Sequence, residues 1–252
     1  MTRKGSLRTQ LTEHLLEAIL HGELRPGDRI VEGKFARQLG VGQSTLREAL
    51  QELEHRGLIT KYGNRGTFVT KLTTREVEEI YAVRLELEPL AAAQAHQRIT
   101  PTHSEQLVRF LDRMQSARQM QDVKELLRSD LAFHQLIWKL SNNSTLERAL
   151  NLICAPLFSF YIIQFSSVDS ADDFSKYSND FKQDNEEHLE LLAALNKGGP
   201  EEVRRTFRRI LEVFRLRHLE HVQAFQHDPE NLPPNAREAV SPQHDRGGPR
   251  PA

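Results

Sequence analysis

Asp130 and His134 stand four residues apart in the run DLAFHQLI, which puts both on one face of a helix. Leu127, Leu131 and Ile137 share that face, so it points inward. His188 keeps register with Leu191, Leu192 and Leu195, again on a core face, and Arg84 sits between Ile80 and Leu87. A buried carboxylate or guanidinium is costly unless it is paired or coordinated. Two imidazoles and a carboxylate meeting in a core can hold a divalent metal. The same trio can instead form a structural polar network, with His134 bonded to Asp130 or to a backbone carbonyl, and spacing alone favours the network. A metal in such a cluster can activate water, which makes a metal-dependent enzyme one alternative function. The sequence offers no Gly-rich phosphate loop and no Ser/His/Asp arrangement, and Cys154 in LICAPLF reads as core rather than as nucleophile.

These residues need helices to hold them, and residues 72–227 read as helix throughout. Thr73 or Thr74 precedes a Glu-rich first turn, a helix start. Pro101 opens the next segment. DVKELLRSDLAFHQLIWKLSNN is a further helix closed by its Asn pair. In STLERALNLICAPLFSFYIIQF, Pro156 is expected to kink or break the helix. A polar stretch, SSVDSADDFSKYSND, separates it from QDNEEHLELLAALNKGG, which ends at Gly198 and Gly199. Pro200 then starts a last helix. Few strand signals appear, so this body is expected to be an antiparallel all-α helical bundle.

A different pattern fills residues 1–71. Leu11, Leu15 and Ile19 repeat at helical spacing, and Gly22 can close that helix. RPGDR at 25–29 is a turn, VEGKFARQLG a short second helix, and Gln43 to His55 a third. Leu46, Ala49, Leu50 and Leu53 form the third helix's apolar stripe and leave Gln43, Ser44, Arg47 and Gln51 to solvent. Two β-rich runs, Leu58–Lys61 and Thr67–Thr70, flank a Gly-Asn-Arg-Gly loop. Three helices and a hairpin make a winged helix-turn-helix, so the fold expected is mainly α: this N-terminal module followed by the bundle. A major groove admits one helix, whose N-terminal residues reach base edges. Gln43, Ser44, Thr45 and Arg47 are the candidates for that contact. Lys34 and Arg37 suit phosphates, and Asn64 and Arg65 can follow a backbone or enter a minor groove. The bland alternative is a solvated charged face.

Charge agrees in direction. Residues 1–70 carry eleven Lys/Arg against eight Asp/Glu, a net of +3, which leaves −4 on the rest of a chain of net −1. One cysteine permits no internal disulfide, no apolar run approaches a membrane span, and the basic N-terminus lacks a signal peptide's apolar core. A cytoplasmic protein with no membrane partner is expected. Residues 228–252 hold six Pro in 25 and almost no large apolar side chain, so a disordered tail is expected.

The run LRPGDRIVEGKFARQLGVGQSTLREALQELEHRGLI, with its GNRGTFV wing, closely resembles the GntR family of bacterial transcriptional regulators. The family pattern commonly has Ser-Arg where this chain has Gly42 and Gln43. Gly is a tolerated helix cap, and Gln suits adenine where Arg suits guanine. The body resembles the FadR-like branch with its FCD-type effector domain, through RLELEPLAAAQA, DLAFHQLI, SNNSTLERAL and EEHLELLAALNKGG. That resemblance implies a homodimer on a palindromic double-stranded DNA operator, acting more often as a repressor than an activator. It also implies a small organic-acid effector held by Arg84 and Asn143 over zinc or nickel bound to Asp130, His134 and His188. The family's fourth ligand position falls on Ile210 here, and His218, eight residues on, stands about 12 Å further along a helix. A salt bridge to a buried Glu or Asp, with Glu88 as one candidate, is the alternative role for Arg84. An effector-independent architectural DNA-binding dimer is the second alternative function.

Overall fold

The computed structural model describes residues 6–21, 23–63, 65–166 and 171–227, the side chains of 165, 166, 171–179 and 227 excepted. The expected 228–252 tail, the helix-closing role of Gly22 and the wing contact of Asn64 lie outside those residues.

The N-terminal region runs α1 (Leu7–Leu20), β1 (Arg29–Ile30), α2 (Glu32–Leu39), α3 (Gln43–His55), β2 (Ile59–Tyr62) and β3 (Gly66–Val69). Ser6 caps α1 through its hydroxyl. Gly40 ends α2 in the left-handed region at φ 65°, a backbone that suits glycine and turns the chain sharply into α3. Leu15 and Ile19 of α1 meet Leu46, Leu50 and Leu53 of α3 in the local core, with Ile59 and Val69 closing it from the sheet. The strands lie in the order β1-β3-β2, all antiparallel, with Thr60 opposite Phe68 and Arg29 opposite the same residue on the other edge. The sequence reading missed β1 and took its first residue as part of a turn. Two residues carry no periodicity of their own, and this strand exists only through its pairing with β3.

The body runs α4 (Thr74–His96), α5 (Pro101–Gln119), α6 (Val123–Leu140), α7 (Ser144–Ser166), α8 (Ala171–Lys197) and α9 (Pro200–His227). Thr73 and Glu76 form a full capping box at the start of α4. Asp122 caps α6, and Asn142 at φ 55° turns the chain out of it. The central core joins Val77 and Tyr81 of α4 to Leu107 and Leu111 of α5, Phe133 and Ile137 of α6, and Leu191 and Phe207 of α8 and α9. A smaller cluster sets Trp138 against Leu150 and Cys154.

Three expectations need correction. Helix α7 continues through Pro156, so of the two effects expected the break does not occur, and α4 likewise runs on through Pro89. Helix α8 begins at Ala171, inside the polar stretch expected to separate two helices. That stretch holds no Pro or Gly, and in a bundle packing rather than propensity decides whether such a run is helical. One stretch of α7, Ser144–Gln164, is after all long and apolar enough to cross a membrane by length and composition. Its apolarity has a local cause, because Leu150, Cys154, Leu157 and Phe160 are buried among the other helices.

Candidate functional site

Helix α3 offers its N-terminal residues outward. Leu46, Ala49, Leu50 and Leu53 are fully buried, which fixes the helix's rotation and leaves Gln43, Ser44 and Arg47 exposed and Thr45 half-buried. Gly42 caps the helix without a side-chain bond. Arg47 is not free: its Nε and Nη2 both donate to Glu32 Oε2 at 3.2 and 3.1 Å. The sequence reading missed Glu32, because fifteen residues of separation leave no local signal. Lys34 and Arg37 are exposed on α2, and Arg65 is exposed in the β2–β3 turn.

The second candidate site lies inside the body, and its three residues come from two helices. Asp130 and His134 stand one turn apart on α6, and His188 enters from α8. His188 Nε2 lies 3.0 Å from Asp130 Oδ1 and 3.3 Å from His134 Nε2, and His134 Nε2 lies 3.5 Å from Asp130 Oδ1. The far side of each ring is also engaged. His188 Nδ1 is 2.6 Å from the Asp184 carbonyl, so it carries the proton and donates it. His134 Nδ1 lies 3.0 Å from Glu88 Oε2, close enough for the carboxylate to favour the ring proton on that nitrogen though not aligned as a hydrogen bond. With Nδ1 protonated, Nε2 presents a lone pair. Two such lone pairs and a carboxylate oxygen then face one another at close range. They repel unless a proton or a cation sits among them, and the three ligand atoms all fall within 4.8 Å of one another. The donor set and its second shell therefore fit a divalent metal. Phe133 packs edge-on to His188, and Phe214 of α9 stacks on it at 5.4 Å. Ile210 lies one turn before Phe214 and is wholly buried. An aliphatic side chain thus stands where the resemblance expects a fourth ligand.

Behind the centre runs a fully buried charged chain. Arg84 Nε donates to Glu88 Oε1 at 2.6 Å, and Trp138 Nε1 donates to Glu88 Oε2 at 3.3 Å. Arg84 also lies over the Tyr81 ring at 4.6 Å, while its Nη1 is buried without a partner. Burial pushes the Glu88 carboxyl up, but Arg84 and then His134 outweigh it and bring it down to about 2. Burial likewise raises the Asp130 carboxyl, and His188, His134 and Arg84 together hold it below its ordinary range. Burial pushes the Cys154 thiol well up against the opposing Arg84, with Glu88 adding to the rise, as suits a core cysteine. Asn143 has a local task, since its Oδ1 accepts from Leu146 N at the start of α7. The sequence reading found Glu88 as a partner for Arg84 but missed its link to His134 and Trp138. Trp138, one turn beyond His134 on α6, was the available signal.

The comparisons with known proteins divide the chain in the same way. The family of bacterial regulatory proteins called gntR matches residues 7–69, and the FCD domain matches residues 79–213. The HTH-type transcriptional regulator YdhC of Bacillus subtilis (strain 168) is 32% identical over 142 residues, which are 56% of this chain and 63% of YdhC. A D-xylose utilization operon transcriptional repressor of Paenarthrobacter nicotinovorans, itself named as probable, is 25% identical over 79% of this chain and 82% of its own length. Among solved structures, E. coli McbR/YncC superposes with a TM-score of 0.61 at 24% identity, covering 86% of this chain and 99% of that one. That likeness shows the shared fold.

Proposed function

This chain belongs to the gntR family of bacterial regulatory proteins, in its FCD-domain branch, a family of transcriptional regulators rather than enzymes, and from that premise we propose a repressor whose operator affinity is set by a small organic acid bound in the helical body. One observation carries the effector half of the reading: the ligand atoms of Asp130, His134 and His188 converge beside a buried chain whose Arg84 Nη1 has no partner. In this reading Asp130, His134 and His188 hold zinc or nickel. Arg84 and Asn143 receive the effector, a carboxylate being the natural acceptor for a guanidinium nitrogen. When bound, the ion supplies positive charge for the acid's oxygens. The protein's own residues do the rest. Glu88 orients His134, the Asp184 carbonyl orients His188, and Phe133 and Phe214 keep the imidazoles from turning.

The reader is residues 1–71, the effector domain 72–227, and the tail 228–252. Gln43, Ser44, Thr45 and Arg47 enter a major groove, Lys34 and Arg37 hold phosphates, and Asn64 and Arg65 lie along the backbone from the wing. Two copies bind a palindrome in the cytoplasm, since twofold protein symmetry is mirrored by half-sites. The relative named as a D-xylose operon repressor supports the sign of regulation. The test is a thermal-shift screen of small carboxylates on metal-stripped and zinc- or nickel-loaded protein, followed by operator binding with each hit. An effector at a hundred times its dissociation constant adds about 2.7 kcal/mol of stability. If no carboxylate shifts either melting or operator affinity in either form, the effector reading fails and a constitutive DNA-binding dimer takes its place.

A further inference from the structure

A second feature lies where the N-terminal region rests on the body. Leu16, Leu20 and Leu58 face Leu131, Phe158 and Ile162 across a cavity of about 890 Å3. That volume is within the range of roughly 300–1,000 Å3 that holds small organic ligands. Asp130, His134, His188 and Arg84 do not line it. Its floor is apolar, and its rim is cationic: Arg56, Arg128 and Arg148 stand there against Glu147 as the one carboxylate. Arg56 is committed to Glu52 at 2.9 Å. Among the described residues neither Arg128 nor Arg148 has a carboxylate partner, Arg148 bonding only the Thr145 hydroxyl at 3.3 Å. Leu152 on the same wall is 72% exposed, an apolar side chain held open beside two unpaired guanidinium groups.

We propose that this seam is a ligand site, separate from the His/Asp centre, for an amphipathic anion: a compact apolar ring or short chain bearing one carboxylate- or sulfonate-type head. The apolar part lies on the leucines and Phe158, and the head meets Arg128 and Arg148. Charge favours an anionic occupant, because its head gains charge-assisted contacts with two exposed guanidinium groups that a neutral apolar molecule forgoes. The site is placed to be felt on both sides. The Phe158 ring lies 5.9 Å from Arg84 Cζ and 6.3 Å from the His134 ring, so one side chain is the wall between seam and centre. The neighbouring Ser159 hydroxyl donates to the Arg56 carbonyl at the end of α3. A ligand that fills the seam therefore acts on the joint that sets the reading helix against the body, and by linkage DNA acts back on the ligand.

The probe is 8-anilinonaphthalene-1-sulfonate, an aromatic anion, with the uncharged N-phenyl-1-naphthylamine as its control, titrated into full-length protein. One anionic probe is expected per chain. Arg128→Ala with Arg148→Ala should weaken the anionic probe about a hundredfold, the loss of two charge-assisted contacts at about tenfold each, and leave the neutral probe unchanged. Leu152→Glu should remove binding of the anionic probe. All three side chains are exposed, so the variants fold. If both variants bind the anionic probe as the parent does, the seam is not the site. If the parent binds none and Leu152→Glu converts a dimer to a monomer in sedimentation, a second copy covers the seam and the proposal is overturned. If binding instead falls with His134→Ala and survives Leu152→Glu, the probe sits in the His/Asp centre; the seam is again refuted, and the effector reading stands.

Discussion

Arg47 in the reader and Arg84 in the body are each paired with a glutamate, and the two pairs differ in everything else. The Arg47 and Glu32 side chains are 59% and 28% exposed, while those of Arg84 and Glu88 are 1% and 0% exposed. An exposed pair contributes about 0–1 kcal/mol and exchanges partners easily, so under the proposed function Glu32 would hold Arg47 until a phosphate or a base edge takes over. A buried pair has no such freedom. Releasing either partner strands a charge in the core, so Arg84 and Glu88 fix the frame from which the imidazoles are aimed. The reader thus keeps its chemistry where it can be exchanged, and the body keeps its chemistry where it must be matched.

The largest expected effect breaks the buried pair. Glu88→Ala should cost about 3–5 kcal/mol in urea unfolding, because Arg84 and His134 lose their carboxylate together. Arg84→Met with Glu88→Leu should recover most of that loss, and failure to recover would mean that the network contributes more than charge matching. On the exposed side, Arg47→Ala should weaken operator binding by about 1–3 kcal/mol at fixed salt if it reads a base. Glu32→Gln sharpens the contrast, since it frees Arg47 and should tighten binding with no loss of fold. A gel-shift titration that finds both variants like the parent would remove the Arg47–Glu32 pair from the reading face.

Ile210→His tests the centre itself. It should raise zinc or nickel affinity at least tenfold, about 1.4 kcal/mol, in calorimetry of the stripped protein. The apo variant should melt lower, because an imidazole replaces a fully buried aliphatic group. Equal affinity for parent and variant would mean that the parent already has its fourth ligand.

Acid provides a weaker probe of burial. His218 is held well below its ordinary range, first by burial and then by Arg84, His221 and Arg217, and its Nδ1 is 2.6 Å from the Tyr81 hydroxyl. His221 is shifted the same way, again mainly by burial. Both take up a proton less readily in the fold than in the unfolded chain, which does so near pH 6.5. Stability should therefore be lost as pH falls below about 6.5, with a limiting slope of about 1.4 kcal/mol per pH unit for each group. His218→Asn should flatten that slope in urea titrations between about pH 6.5 and 5. The smallest effect belongs to the reader. Gly42→Ser gives α3 a side-chain cap where the backbone is already extended and a Cβ meets only ordinary contacts, and should add a few tenths of a kcal/mol to the melting stability.

What was legible in the sequence was local. The ends of α3, the start of α4 at Thr73 or Thr74, the starts of α5 and α9, and Glu88 as a candidate partner for Arg84 all depend on residues within four positions of each other. The three-residue centre was also legible, because burial could be inferred from the leucines beside each polar residue. Long separations hid the rest. The Tyr81–His218 bond spans 137 positions and the Trp138–Glu88 bond 50, and neither leaves a trace in periodicity. Strand β1 owes its existence to β3, and the first turns of α8 owe theirs to packing that no polar run announces.

At the end of α3, Gly57 has a φ of 73°, and an added Cβ there would run into the Ala155 carbonyl and stand 2.6 Å from the Pro156 nitrogen. Backbone rests on backbone, with no side chain between to compress. Such a contact is one-sided as a mechanical element. The reader can tilt away from α7 at the expense of a few contacts, but cannot tilt toward it without forcing two main chains together. The seated position is therefore a hard stop, and rearrangement of the two regions has one permitted direction. Even alanine at this position would hold the joint open.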